Sequence, residues 1–427
     1  MRLKRRPVLG SGRRICAGRV ARRAQSGCVA RHAAQALVRN VQHTDKDQNK
    51  TGLRFVPMQY RLLGDTALRV SELGFGCSAL GGGLFGPGTQ GALDLVARCL
   101  DAGVTFFDTS DTYSLGNSER ILGRALRGRR SHAVIATKGG GTWSKLDRVL
   151  LRSRPLLRPF RKALGGARRS IKLAHARRKH YDYSPEHLVR AVEGSLKRLG
   201  TDYIDLYQLY NPTVLDLTEF EASETLDRLK AAGKILHYGV TAYGLDDAFA
   251  ALRHPSIESI QLSISLVDQS ACGEFLALAR ERGVAVIAAS PLGEGLLTNT
   301  VGITKADESS HHTAAQLELR RARAAACAKW VLPNRTLAQT ALRFALAMDG
   351  VSLALPSAVT IAQLDEDLRA LETPLLTDAD LAEMRQLEAR VQSSASMSGT
   401  GAGTAAAVPG DLAKAVSGAL PRVVSSS

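Results

Sequence analysis

Three short stretches hold the residue types that can move a proton. Asp108-Thr-Ser-Asp-Thr-Tyr113 offers a carboxylate and a phenol, Ala-Thr-Lys138 an ammonium, and Tyr-Gln-Leu-Tyr210-Asn-Pro a second phenol. Together these are the groups needed to handle a proton on a carbonyl oxygen. Taken singly, each is more often a surface or structural residue. A shared placement is what makes them a candidate site.

Their placement follows from the elements around them. Each polar group comes just past a short apolar run: Val104–Phe107, Ala133–Ala136 and Tyr203–Leu209. Over residues 58–392 the chain alternates such runs with amphipathic stretches. The pattern predicts strands at Leu73–Cys77, at those three runs, and at Tyr238–Val240, Ser259–Ile264, Val284–Ala288 and Ser352–Leu355. Helices are expected at Leu93–Ala102, Ser118–Leu126, Pro185–Leu199, Glu219–Ala232, Asp246–Leu252, Glu274–Arg282, Leu337–Ala347 and Ile361–Leu371. Ser184 before Pro185 is an N-cap with proline in the first turn. Eight strands, each followed by a helix, predict an α/β fold: a closed (β/α)8 TIM barrel rather than an open doubly wound sheet. Residues that follow consecutive barrel strands gather at one rim, so these groups are expected to converge there.

The 427 residues suffice for one such domain with extensions, and 44% hydrophobic content excludes disorder throughout. No apolar run approaches the ~18 residues of a membrane span. The net charge of +17 comes from two blocks: residues 1–57 and 139–180 each carry +12, leaving −7 for the rest. Charge in blocks bears on partners more than on fold, and no nucleic-acid recognition motif accompanies it, so no nucleic acid is expected. Residues 1–57 have no acidic residue before Asp45. They read as an organelle transit peptide, or as a disordered extension upstream of a true start at Met58. Residues 139–180 form a basic insertion after the third strand. A lid, an anionic-partner patch, a membrane-surface element and a solvated excursion are all open readings of it. Residues 393–427 read as a flexible Ser/Gly/Ala-rich tail. The six cysteines form no C-x-x-C pair and fit isolated thiols in a reducing compartment. That favours a cytoplasmic location unless residues 1–57 direct import. The histidines show no ligand spacing with them, so no metal site is expected.

Gly81-Gly-Gly-Leu-Phe-Gly86 fits G-x-G-x-x-G, with Asp108 downstream, as in a Rossmann dinucleotide site. Pro87-Gly-Thr-Gln-Gly91 follows, so no helix is expected at the third glycine to receive a pyrophosphate. A flexible rim loop is the preferred reading.

Several motifs, in order, resemble those of the aldo-keto reductase family. They are Asp108 to Tyr113, Gly116-Asn-Ser-Glu-Arg-Ile-Leu-Gly123, Thr137-Lys138, Ser195 to Pro212, Gly233-Lys-Ile-Leu-His-Tyr-Gly-Val240 and Ala289-Ser-Pro-Leu-Gly-Glu-Gly-Leu-Leu-Thr298. The resemblance runs from Met58 to about residue 390, and the last motif is most similar to the branch of L-galactose and other aldose 1-dehydrogenases. It implies a (β/α)8 barrel that binds NAD(P)(H) without a Rossmann domain. It also implies hydride transfer between the nicotinamide and an aldehyde, ketone or sugar hemiacetal. Tyr113 is then the general acid/base, Lys138 is expected to lower its pKa, and Asp108 to hold Lys138 charged and oriented. Tyr210 departs from the family, which has a histidine there to orient the carbonyl. A phenol still donates a hydrogen bond but lacks the titration of an imidazole near neutrality.

The same resemblance implies the cofactor contacts. Gln261 matches the glutamine on the nicotinamide carboxamide, and Thr241 keeps half of a Ser-Asn pair whose second member is Ala242. Ser290, Leu292 and Gly295 match the loop over the pyrophosphate, while Ala289 stands where an aromatic often stacks. Thr360, Gln363, Glu366 and Asp367 keep the adenosine-end layout. With Ser357, Val359 and Gln363 replacing the usual basic residues, a 2′-phosphate lacks charge-assisted bonds. Asp367, in place of the usual asparagine, is expected to repel it, so NAD(H) is expected to serve at least as well as NADP(H). A small-molecule carbonyl or sugar is the expected partner. The alternative is a catalytically weak nucleotide-binding regulatory or sensor protein of the same fold.

Overall fold

A computed structural model describes residues 58–82, 86–143, 180–218, 220–298 and 312–387. The extension 1–57, most of the insertion and the tail 393–427 lie outside the described residues. The strands in chain order are β1 (Tyr60–Leu62), β2 (Arg69–Ser71), β3 (Phe75–Gly76), β4 (Phe106–Asp108), β5 (Val134–Gly139), β6 (Gly141–Thr142), β7 (His180–Tyr181), β8 (Ile204–Tyr210), β9 (Ile235–Thr241), β10 (Ser259–Ser263), β11 (Ala285–Ala289) and β12 (Val351–Leu355). Eight of them, β3, β4, β5 and β8 to β12, pair in parallel in that order. Leu73 bridges Ala354, and Gly74 N and Gly76 N donate to Ala354 O (2.9 Å) and Pro356 O (2.8 Å). These bonds close the sheet into a (β/α)8 barrel. Gly76 has no side chain because one there would meet Ser357, two residues past the closing strand β12.

Side chains alternate across each strand, which sorts the core into two shells. Phe106, Val134, Ala136, Leu206, Ile287 and Leu353 fill the barrel, while Phe107, Ile135, Tyr207 and Val286 pack outward beneath the helices. Leu63 and Val70 of the β1–β2 hairpin join the inner shell. Asp65 N donates to Gly283 O, and Ser71 N to Thr105 Oγ1. Gly283 and Thr105 precede β11 and β4, so the hairpin closes the N-terminal end of the barrel. The C-terminal end remains for a site.

Helices Pro185–Leu199 and Leu337–Ala347 have their expected bounds, the first capped by Ser184 Oγ on His187 N (3.4 Å). Other elements differ. Helix Gly88–Asp101 starts five residues before the expected Leu93, close behind Gly86. The closed barrel, and not a missing helix, therefore rules out a Rossmann sheet. The β1–β2 hairpin and helix Ala314–Ala326 are not among the expected elements, although Thr313 and Gln316, which cap that helix reciprocally, spell a capping box. β5 runs through Gly139, so the insertion begins beyond it. Its two described ends are zipped as the antiparallel pair β6–β7.

Candidate active site

Asp108, Lys138 and Tyr210 lie inside their ladders rather than past them. Asp108 pairs with Ala136, Lys138 with Gln208, and Tyr210 with Thr241. Backbone pairing continues through a polar residue whose side chain breaks the apolar run. Alternation then places Asp108 above Phe106 and Lys138 above Ala136, all facing the barrel interior.

Lys138 Nζ donates to the Asp108 carboxylate and to Thr109 O (2.9 Å), and both side chains are buried. The Gln261 amide also bonds Asp108. Burial raises the Asp108 carboxyl above its ordinary range, against the opposing pull of Lys138 and Gln261. The turn to Tyr113 is pinned by Thr109 N on Ala136 O (2.8 Å), Asp111 N on Lys138 O (3.2 Å) and Tyr113 N on Ser110 O (3.1 Å). Behind it, the buried Glu119 carboxylate accepts from Thr137 Oγ1 (2.8 Å) and Arg198 Nε (2.5 Å). That ties the helix after the turn to β5 and to helix Pro185–Leu199.

Tyr113 comes to rest over this pair, with Lys138 Nζ 5.2 Å from its ring centroid. The expectation that Lys138 lowers its pKa is corrected. Burial, then Asp108, Tyr243 and Cys77, push the phenol well above its ordinary value, and a hydrogen bond with Tyr210 opposes them. Asp108 neutralises Lys138 locally, so the ammonium does not offset the loss of water around Tyr113. The group is a protonated phenol at neutral pH.

Tyr210 is also buried, and burial raises its phenol well above the ordinary value. Its hydroxyl lies 3.1 Å from that of Tyr243, which is half exposed. Asn211 sets this contact: at φ 56° its N donates to Thr241 Oγ1 and its Oδ1 accepts from Tyr243 N, both at 2.9 Å. Tyr183 Oη donates to Tyr210 O (2.9 Å), and the Tyr181 ring stacks on Tyr210 at 6.4 Å. Sequence reasoning missed Tyr181, Tyr183 and Tyr243. The signal available was their position, just after the basic block and two residues past Thr241.

A cleft of about 650 Å3 opens over these groups, and Tyr113, Lys138, Tyr210, Thr241, Gln261 and Ser290 are among its lining residues. The Oε1 of Gln261 is buried without a hydrogen-bond partner, as is the amide of Gln208 beside Lys138. Ser114, Leu115, Asn211, Ser290 and Glu294 all have positive φ, from 48° to 59°. All five follow a strand or turn at this rim, where backbone strain is characteristic of functional sites. Leu292 and Gly295 stand in the turn beyond Ser290 and do not line the cleft.

Thr360, Gln363, Glu366 and Asp367 are not brought onto the cleft wall either. Thr360 caps the helix after β12 by accepting from Gln363 N (3.2 Å), and Gln363 Oε1 accepts from Val359 N (2.9 Å). Arg98 reaches this helix and pairs with Asp365 (2.9 Å). Asp367 is buried, and its carboxyl is pushed up to about 8, first by burial and then by Glu366. It is mostly protonated at neutral pH, which corrects the expectation that it repels a phosphate. The raised pKa also sets a stability trend. The unfolded carboxyl ionises near its ordinary 3.8 while the folded one keeps its proton to about 8. Stability should fall across that window by about 1 kcal/mol per pH unit for this group. Asp367→Asn should abolish the fall and raise stability at pH 8 more than at pH 5 in denaturant unfolding. An equal effect at both pH values would contradict the assignment.

Comparison with known proteins agrees with this architecture. The profile of the Aldo/keto reductase family matches residues 72–389. The chain is 30% identical over 328 residues to an uncharacterized oxidoreductase, YqkF, of Bacillus subtilis, covering 76% of this chain and 94% of that protein. It is 28% identical over 324 residues to L-galactose dehydrogenase of Arabidopsis thaliana, covering 74% and 88%. The holo form of aldo-keto reductase AKR11C1 from Bacillus halodurans superposes with a TM-score of 0.61 at 29% identity, covering 77% of this chain and 96% of that one. With barrel and rim geometry in agreement, the chain belongs to the aldo-keto reductase family of oxidoreductases.

Proposed function

We propose that the protein transfers a hydride between NAD(P)(H) and an aldehyde, ketone or sugar hemiacetal, with Tyr113 as the proton donor in reduction. The observation that carries this is the Tyr113 phenol, kept protonated by its surroundings, open to a cleft and seated over the buried Asp108–Lys138 pair. Gln261, with its unpartnered Oε1, fits the carboxamide of a nicotinamide, and Thr241 and Ser290 flank it on the same wall. A nicotinamide bound there supplies or accepts the hydride. Tyr113 gives its hydroxyl proton to the carbonyl oxygen as that oxygen gains charge, and Tyr210 provides a second hydroxyl at the same place. Thr360, Gln363, Glu366 and Asp367 remain the proposed adenosine end. Because both phenols are raised, reduction keeps its acid across the neutral range. Oxidation, which needs the phenolate as base, gains as pH rises.

The test is turnover of an aldehyde, ketone and sugar panel, in both directions, with both cofactors. Measurable reduction of at least one carbonyl class is expected, with kcat/KM for NADH equal to or above that for NADPH. Tight cofactor binding without any turnover would favour a regulatory protein instead. A hundredfold preference for NADPH would overturn the cofactor assignment. Tyr210→His is expected to keep kcat within about tenfold or raise it. It should also introduce a limb in the pH profile near the imidazole pKa of ~6.5 that the parent enzyme lacks. A profile unchanged in shape would show that Tyr210 does not face the reacting oxygen.

A further inference from the structure

Helix Ala314–Ala326 forms a wall of the same cleft and turns two arginines toward it, Arg320 and Arg323, each 6% exposed. Spaced by three, they share a face of the helix. Arg323 Nη1 donates to Val267 O at 3.2 Å. Arg320 is less well satisfied. Its Nη1 reaches Asp268 Oδ2 only at 3.4 Å, and its Nε and Nη2 have no hydrogen-bond partner. Asp268 accepts from Ser270 Oγ (3.0 Å) through its other oxygen, and Glu294, the second carboxylate on this side, faces His312 at 3.5 Å.

A buried lysine can shed its proton to escape such a position; a guanidinium cannot. Burial of a charge with most of its donors unmet is costly unless something else completes the set. Arg320 itself lines the cleft, with Nε and Nη2 buried in its wall, so a group entering from solution can complete the set once the side chain turns toward it. The planar fork of Nε and Nη2 matches two oxygens of a carboxylate or phosphate.

We propose that Arg320, with Arg323 beside it, forms an oxyanion subsite in the wall of the cleft. It takes the carboxylate or phosphate of a molecule bound there. The assignment deepens the reading of the cleft as an active site and rests on it. The oxyanion has two sources, an acidic group on the substrate or the diphosphate of the dinucleotide.

The experiment compares the full chain with Arg320→Leu and Arg320→Lys in two assays. The first is equilibrium binding of NADH and NADPH by fluorescence, which needs no turnover. The second is kcat/KM for 4-carboxybenzaldehyde against benzaldehyde. A tenfold or larger loss of cofactor affinity in Arg320→Leu places the diphosphate at the subsite. A comparable loss confined to the carboxylated aldehyde, through KM, places the substrate there. Arg320→Lys should recover part of either loss, because it restores the charge but not the fork. Inorganic phosphate should also compete with the affected ligand in the parent protein, and less well in Arg320→Lys. That reading stands even where the leucine variant does not fold. Unchanged binding in both assays, or equal loss for both aldehydes with only a lowered Tm, would overturn the subsite. Failure of the parent protein to reduce any aldehyde would overturn the proposed reaction, leaving the binding assay to judge Arg320.

Discussion

Tyr113→Phe should lower kcat for carbonyl reduction by about 10^2 to 10^4, the usual contribution of a positioned general acid. The substitution removes one oxygen and keeps the ring, so the contact with Lys138 Nζ at 5.2 Å survives. Tyr210 loses one partner but keeps Tyr243 at 3.1 Å. Cofactor affinity and Tm should therefore change little while turnover collapses, which separates loss of a proton donor from loss of a scaffold. The measurement is single-turnover reduction at saturating cofactor, alongside thermal unfolding. Turnover within a factor of three of the parent enzyme would remove Tyr113 from the mechanism.

Lys138→Met acts on stability as well as rate. Lys138 is the cation that meets Asp108 in the barrel interior, and its removal leaves a buried carboxylate with Gln261 as its remaining polar support. Breaking a buried ion pair at one partner typically costs about 3–5 kcal/mol. The sign with pH follows from the same charge. Without Lys138 the Asp108 pKa rises further in the folded state, so the folded protein holds a proton that the unfolded chain releases. The variant should then be least stable, relative to the parent, above the ordinary carboxylate range, and should recover as pH falls toward 4. Adding Asp108→Asn should restore much of the loss at neutral pH, because a neutral pair carries no uncompensated charge. Denaturant unfolding at pH 5 and pH 8 of the single and double variants reads all of this. A double variant no more stable than Lys138→Met at pH 8 would show that the pair is not the source. Neither variant should recover turnover, since the buried Asp108–Lys138 pair on which the Tyr113 ring is seated is gone in both.

The strand–helix alternation was legible because each barrel strand must be apolar and each helix amphipathic, whatever the loops do. Tyr203–Leu209 and Leu337–Ala347 were visible for that reason. Ends were less legible. Asp108 and Lys138 break the apolar runs that mark β4 and β5, yet the ladder continues through them because it needs only the backbone. Helix Gly88–Asp101 opens on Gly-Thr-Gln-Gly, where the two glycines and the threonine have little helical preference, and its burial of Ala92, Leu95, Val96 and Cys99 overrides that preference. The β1–β2 hairpin was invisible because strands of three residues carry almost no periodicity. What reveals it is the barrel end it covers.

The sequence by itself determined the fold class, the expected gathering of Asp108, Tyr113 and Lys138 at one rim, and the family, since strand period and ordered motifs are local properties of the chain. Only the tertiary structure decided the electrostatics. It showed that Lys138 is neutralised by Asp108, that Tyr113 is pushed up rather than down, and that Asp367 is buried and largely protonated. It also brought Tyr243 to Tyr210 across 33 residues and Arg320 to Asp268 across 52. The physical reason is that a pKa, or an unmet donor, depends on distance and water access, and neither is written in the order of residues along a chain.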